Sequence, residues 1–153
     1  MLTFRPMPRN IAEIAADFDA LTSHDFDHAN RSARGWERLD VLCDELLSIN
    51  DPEVCAPVLL RTMERLDGTE LGTPGPLVHT LETWRGGYEE LLAQSVRRKP
   101  TPLSVWMVNR ILNVSPPDAE SWLELLQSVA DNPAASEETK ADAERFLKYQ
   151  TGG

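Results

Sequence analysis

The chain has 153 residues, with 25 Asp and Glu side chains against 15 Lys and Arg, which gives a formal net charge of −10. This length suits one domain around one core, and 41% hydrophobic with 26% charged residues is a globular rather than a disordered composition. The excess of acid argues against a protein that binds nucleic acid or an anionic membrane, because both partners require a basic surface.

The compartment is indicated by what the sequence lacks. No apolar run approaches the ~18 residues of a membrane span, and residues 1–10 lack the apolar core of a signal peptide. We therefore expect a cytoplasmic protein, and we expect Cys43 and Cys55 to be reduced and buried. Residues 1–153 are predicted to form a single helical domain with flexible ends at 1–9 and 150–153.

Apolar side chains recur at helical spacing along the chain, and no segment alternates as a strand does. Proline is favoured in the first turn of a helix, and most of the eleven prolines lie between the periodic segments. Pro57 lies inside one of them and is expected to bend or restart that helix. The pattern predicts eight helices, at about 11–21, 33–49, 52–66, 77–84, 88–99, 102–112, 117–129 and 136–147.

The order of the helices predicts how they pack. The second helices of successive pairs begin near Pro52, Gly87 and Pro117, at spacings of 35 and 30 residues. That period favours an all-α fold of antiparallel hairpins stacked as a short HEAT- or armadillo-like superhelix. An irregular helical bundle is the alternative.

The histidines offer little chemistry. His24 and His28 have the i, i+4 spacing of a metal-binding pair with carboxylates beside them, but no third His or Cys lies nearby. A polar helix end or loop is the simpler interpretation. His79 and Glu82 form an H-x-x-E pair without the nucleophile or second histidine of a hydrolase motif. We therefore expect no catalytic residues, no metal and no cofactor.

Four polar residues lie in otherwise apolar helices. Asn109, Arg110 and Asn113 follow an apolar run, and His79 lies in a short helix behind a Gly-Pro turn. Since buried polar groups need partners, we expect these four side chains to form a polar clasp between helices. Ligand contact is the alternative for the helix that carries the asparagines.

The acidic residues give the strongest indication of function. Residues 1–53 contain 11 acids and 5 bases. On the second predicted helix, Glu37, Asp40 and Asp44 share the side away from the apolar stripe. A solvated surface is the simplest explanation, but the set as a whole is placed to attract a basic protein. The predicted partner-binding residues are Asp25, Asp27, Glu37, Asp40, Asp44, Glu45 and Asp51.

Two segments carry a resemblance to a known family. They are LGTPGPLVHTLE at residues 71–82 and RKPTPLSVWMVNRILN at residues 98–113, supported by residues 40–66. Over about residues 36–126 the chain resembles the helical immunity proteins of bacterial contact-dependent growth inhibition and related polymorphic toxin systems.

The resemblance implies a small, cytoplasmic, non-enzymatic protein that binds the toxin domain delivered by a neighbouring cell. Such toxins are often nucleases with basic substrate surfaces, so an acidic inhibitor would occupy the place of the phosphate backbone. It implies a monomer in a 1:1 complex, with the toxin's active site or substrate surface blocked.

A helical-repeat adaptor is the alternative function. In that case a peptide or protein would bind in a concave groove, with Trp84, Tyr88 and Trp106 as aromatic anchors.

Overall fold

The computed structural model describes residues 9–30, 32–72 and 75–152, and in these the chain is all-α, as predicted. The described residues form eight α-helices and one short 3₁₀ helix. The α-helices are α1 (Ile11–Asp19), α2 (Gly35–Ile49), α3 (Pro52–Arg65), α4 (Pro76–Thr83), α5 (Glu89–Arg98), α6 (Pro102–Asn113), α7 (Ala119–Val129) and α8 (Glu137–Thr151).

The helix starts follow from side-chain capping. Asn10, Asp51, Thr101 and Ser136 each accept a hydrogen bond from a backbone N–H of the first turn that they precede. Proline occupies the first turn of α3, α4 and α6, where its missing N–H costs nothing. These local signals explain why the helices begin close to the predicted residues.

Of the two outcomes expected for Pro57, a bend or a restart of the helix, the restart does not occur. α3 is continuous from Pro52 to Arg65, and Pro57 lies in its second turn with an exposed side chain. On that side the carbonyl that loses its helical partner faces water, so the helix tolerates the residue.

Each of α1 to α6 except α4 packs against the helix two positions further along the chain. α1, α3, α5 and α7 follow one another in one row of contacts, while α2 packs on α4 and α6 packs on α8. A bidentate ion pair between Glu82 of α4 and Arg110 of α6, with both distances 2.9 Å, continues the second row. This contact order is that of stacked helical hairpins, and it places one continuous core between the two rows.

The start of α2 depends on an element that the apolar period did not reveal. Ser23–Phe26 form a 3₁₀ helix, η1, whose Phe26 is buried. The Phe26 ring lies edge-on to Trp36, with 5.3 Å between centroids, and the His28 ring stacks on Trp36 at 4.7 Å. Gly35 allows this approach, since a Cβ there would lie 2.5 Å from the carbonyl oxygen of Asp25.

The two ends of the described chain are tied to the fold. Arg9 forms ion pairs with Asp17 and Glu45, and α8 continues through Gln150 to Thr151, past the residue at which we expected a flexible end. Residues 1–8 and 153 of the predicted flexible ends lie outside the described residues.

No helix in the described part of the chain combines the length and apolar character that a membrane crossing requires.

We predict that Gly35→Ala lowers the free energy of unfolding by about 1–3 kcal/mol, as overpacking does, despite the better helix propensity of alanine. The added methyl would meet the backbone of Asp25 and the Phe26 ring, at 2.5 and 2.8 Å. Urea denaturation followed by circular dichroism measures the effect. A midpoint equal to or above that of the wild type would contradict the close approach.

The two cysteines yield a second prediction. Both are buried free thiols, and burial raises the pKa of Cys43 to about 12 and raises that of Cys55 as well. Because the thiolate is the reactive form, the thiolate population of native Cys43 at pH 8 should be about a thousandfold below that of an unfolded chain. We expect a disulfide reagent such as DTNB to label neither thiol rapidly in the native protein and both in guanidinium. Rapid labelling without denaturant would show that the thiols are accessible.

Candidate functional site

The outer side of α2 is the best candidate for a binding surface. Leu39, Leu42, Cys43 and Leu46 are buried against the core, which turns the opposite side of the helix to solvent. Glu37, Asp40 and Asp44 are exposed there, and Val41 among them is 60% exposed. We call these four residues the α2 acidic face.

The acids of this face are poorly compensated. Glu37 has a long ion pair of 3.8 Å with Arg34, whose side chain is itself largely exposed. Asp40 and Asp44 have no ion pair within the described part of the chain. They are four residues apart on the helix, and like charges at that spacing destabilise a helix by ~0.2–0.5 kcal/mol. A cation from a partner would relieve this repulsion.

Glu45 is engaged inside the fold rather than available to a partner. Its carboxylate accepts hydrogen bonds from Arg9 at 2.6 and 3.2 Å, and Arg9 also pairs with Asp17 of α1. The hydrogen bonds that Arg9 donates to Glu45, and then to Asp17, raise the pKa of Arg9, so its charge is permanent. This triad links α1 to α2, and it partly neutralises Glu45.

Three other predicted partner-binding acids have local structural roles. Asp25 accepts hydrogen bonds from the backbone N–H and hydroxyl of Thr22 and lies 3.7 Å from Arg38. Asp27 accepts from the backbone N–H of Ala29, and Asp51 caps α3. The structure therefore separates the predicted set into the exposed acids of α2 and acids whose oxygens already serve the chain.

Val41 is the residue that sequence reasoning missed. At 100° per residue, Val41 lies on the side of Glu37, Asp40 and Asp44, whereas its buried neighbour Leu42 lies at the edge of the apolar stripe. The helical period therefore held the signal for its exposure. Beside Val41 a shallow depression of about 330 Å³ is lined by Arg9, Asp17, Glu37, Arg38, Val41 and Leu42. The face thus has an exposed apolar group surrounded by charge, which is the composition of a small interface centre and its rim.

The predicted polar clasp is present for three of its four residues. Gln150 of α8 donates from one nitrogen to the side-chain oxygens of Asn109 and Asn113, at 2.7 and 2.8 Å. Arg110 forms the bidentate pair with Glu82 and lies 4.9 Å from the centroid of the Trp106 ring. These side chains join α6 to α8 and to α4.

His79 does not belong to the clasp, and that prediction was wrong. On α4 the buried positions are Leu77, Val78, Thr80 and Leu81, so residue 79 faces outward and its side chain is exposed. Glu82, the other member of the H-x-x-E pair, is committed to Arg110.

The metal-like spacing of His24 and His28 has a structural explanation. His24 lies in η1, and His28 follows it with its ring on Trp36, so the two residues do not share an α-helix. Within residues 9–30, 32–72 and 75–152, no group of three or more His, Cys, Asp or Glu side chains is arranged to hold a metal ion.

The aromatic residues expected to line an adaptor groove are mostly internal. Trp84 is buried and donates from its indole N–H to the side chain of Asn50 at 3.0 Å, and Tyr88 is buried too. Burial raises the pKa of Tyr88 to about 12. Trp106 is half-buried and remains available at the surface.

Comparison with known proteins supplies no relative for this chain: no protein-family model, no curated protein and no solved structure matches it.

Proposed function

We propose that this protein is a non-enzymatic, cytoplasmic immunity protein that binds and neutralises a basic toxin domain, with a nuclease as the expected toxin. The complex is a 1:1 assembly in which the acidic surface covers the active site or substrate surface of the toxin. We propose no nucleic-acid or membrane partner for this protein.

The single observation that carries the proposal is the α2 acidic face. It sets an exposed valine among three exposed carboxylates, two of which have no counter-ion in the described part of the chain. An interface needs a small apolar centre for affinity and complementary charge for orientation and rate. The resemblance at residues 71–82 and 98–113 supports the identity of the partner, since proteins of that family are toxin inhibitors.

The charge distribution supports a basic partner over any other. The chain carries −10, and its N-terminal third holds the largest share of the excess. A field of this sign attracts a cationic domain over about one Debye length, ~8 Å at physiological salt. A nuclease surface built for phosphates has the complementary sign.

The first test reverses the charge of the α2 acidic face. The triple variant Glu37→Lys, Asp40→Lys, Asp44→Lys should slow association with the cognate toxin domain by tenfold or more at low salt, because electrostatic steering is lost. Stopped-flow binding over a range of salt concentrations measures the rate, and survival of cells that express the toxin reports neutralisation.

The matched control carries the same charge change elsewhere. Glu120→Lys, Glu124→Lys, Asp131→Lys alters three exposed acids on or beside α7 that have no ion pair among the described residues. Each triple variant changes the net charge from −10 to −4, because three substitutions contribute +2 each. If both triple variants bind at the same rate at every salt concentration, the α2 acidic face is not the interface.

The second test removes the apolar centre without changing charge. Val41→Ser should raise the dissociation rate about five- to tenfold, since about 1 kcal/mol of apolar contact is lost from the complex. The free protein should unfold at the wild-type midpoint because Val41 is 60% exposed. Val114→Ser, at a 74% exposed residue far along the chain, is the control. Unchanged dissociation for Val41→Ser would place the centre of the interface elsewhere.

A further inference from the structure

A second surface feature lies at the other half of the stack. There the loop that follows α3 meets the start of α6 and the outer side of α8, and a groove of about 300 Å³ runs between them. We call it the α6–α8 groove. It shares no residue with the α2 acidic face, and the inference below does not rest on the proposed function.

One part of the groove wall is apolar. Leu103, Trp106 and Phe146 are half-buried and line it, above a base that includes buried Met63 and Leu66. Its volume is at the lower end of ligand pockets, which span ~300–1,000 Å³. The space therefore suits one or two side chains of a larger partner.

The Trp106 wall is held in place before any partner arrives. The guanidinium of Arg110 lies 4.9 Å from the centroid of the Trp106 ring, and it is itself fixed by two 2.9 Å hydrogen bonds to Glu82. An aromatic side chain that is already ordered costs little entropy on binding. The ion pair that joins α4 to α6 thus also holds the Trp106 ring in position at the groove.

The rim of the groove is ordered as well. Thr101 and Ser104 exchange backbone-to-side-chain hydrogen bonds of 3.0 and 3.2 Å at the start of α6. Lys99 lies 3.1 Å from Asp67 and donates to the carbonyl oxygen of Ala134 at 2.7 Å. The loop after α3 is therefore joined through Lys99 to the end of α5 and to the loop that precedes α8.

The charge around the groove is unbalanced. Four acids and one cation line it: Asp67, Glu70, Glu138, Asp142 and Arg145. Asp67 is paired with Lys99, and Asp142 is paired with Arg145 at 3.2 Å. Glu70 accepts a backbone N–H from Gly72 but has no cation, and Glu138 has neither within the described residues. Two uncompensated carboxylates thus flank the apolar walls.

We propose that the α6–α8 groove binds a short segment of a protein partner in which a bulky apolar side chain lies next to Lys or Arg. The apolar side chain packs between Trp106 and Phe146, and the cation reaches Glu70 or Glu138. A purely apolar ligand would leave the two carboxylates without a counter-ion, and an acidic segment would be repelled by them.

Three short peptides test the proposal. The probe is acetyl-Gly-Lys-Leu-Arg-Gly-amide, and its controls replace the leucine by serine or both basic residues by glutamate. Titration into the ¹⁵N-labelled protein is followed at the indole N–H signal of Trp106, which Trp106→Phe assigns. We expect saturable shifts with the probe, and binding at least fivefold weaker with either control, because each control removes one half of the recognition.

Two matched variants test whether the carboxylate of Glu138 contributes to binding of the probe. Glu138→Gln should weaken binding of the probe about two- to threefold, as the loss of one partly screened charge does. Glu124→Gln, at an exposed acid of α7 that does not line the groove, should leave it unchanged.

Three results would overturn the proposal. The first is the absence of a saturable Trp106 shift with the probe, and the second is equal affinity for all three peptides. The third is a concentration-dependent dimer in sedimentation velocity that Glu138→Lys dissociates, since the occupant of the groove would then be a second copy of this chain.

Discussion

The packing of helices two positions apart, together with that of neighbouring helices, is the interaction on which the rest of the structure depends. Isolated helices below ~12–15 residues are marginal in water, and α1, α4, α5 and α7 have 9, 8, 10 and 11 residues. Their stability therefore comes from the apolar sides that they bury in the shared core. Each described α-helix packs on at least two others. Replacing the buried side chains of one helix would therefore disturb its packing on both neighbours.

This arrangement also determines where the charged side chains of the protein lie. With the apolar sides turned inward, the acids lie outward, and some of them become ties between helices. Glu45 is tied through Arg9, Glu82 is tied to Arg110, and Glu64 of α3 accepts from Arg98 and Ser95 of α5. The acids that tie nothing remain as an excess, and they include those on α2, around the α6–α8 groove and on or beside α7.

Much of the fold could be predicted from the sequence because its signals are local. A capping residue followed by proline predicts the start of a helix to within two residues, as at Asp51-Pro52 and Thr101-Pro102. The apolar period then predicts which side of the helix is buried. The features that were missed are set by tertiary contacts. η1 is too short to show a period, and the need for glycine at 35 arises only when Phe26 lies against it.

The candidate site was likewise predicted only in part from the sequence. The helical period alone predicted that Glu37, Asp40 and Asp44 share an exposed side of α2. It also places Val41 on that exposed side, although an apolar residue there was not singled out. It could not predict that Arg9, 36 residues away in sequence, would engage Glu45. The buried positions 77, 78, 80 and 81 of the eight-residue helix α4 leave residue 79 on its outer side. The prediction that His79 belongs to the clasp was therefore wrong.

The exposed position of the α2 acidic face has a consequence for how this protein can change. Asp40, Val41 and Asp44 form none of the side-chain ties on which the described helices rely, so replacing them costs the fold little. If the α2 acidic face is the interface, as we propose, the scaffold and the recognition surface are carried by separate residues of one helix. A few substitutions on that face would then alter which partner is bound, while the buried side of α2 keeps the same neighbours.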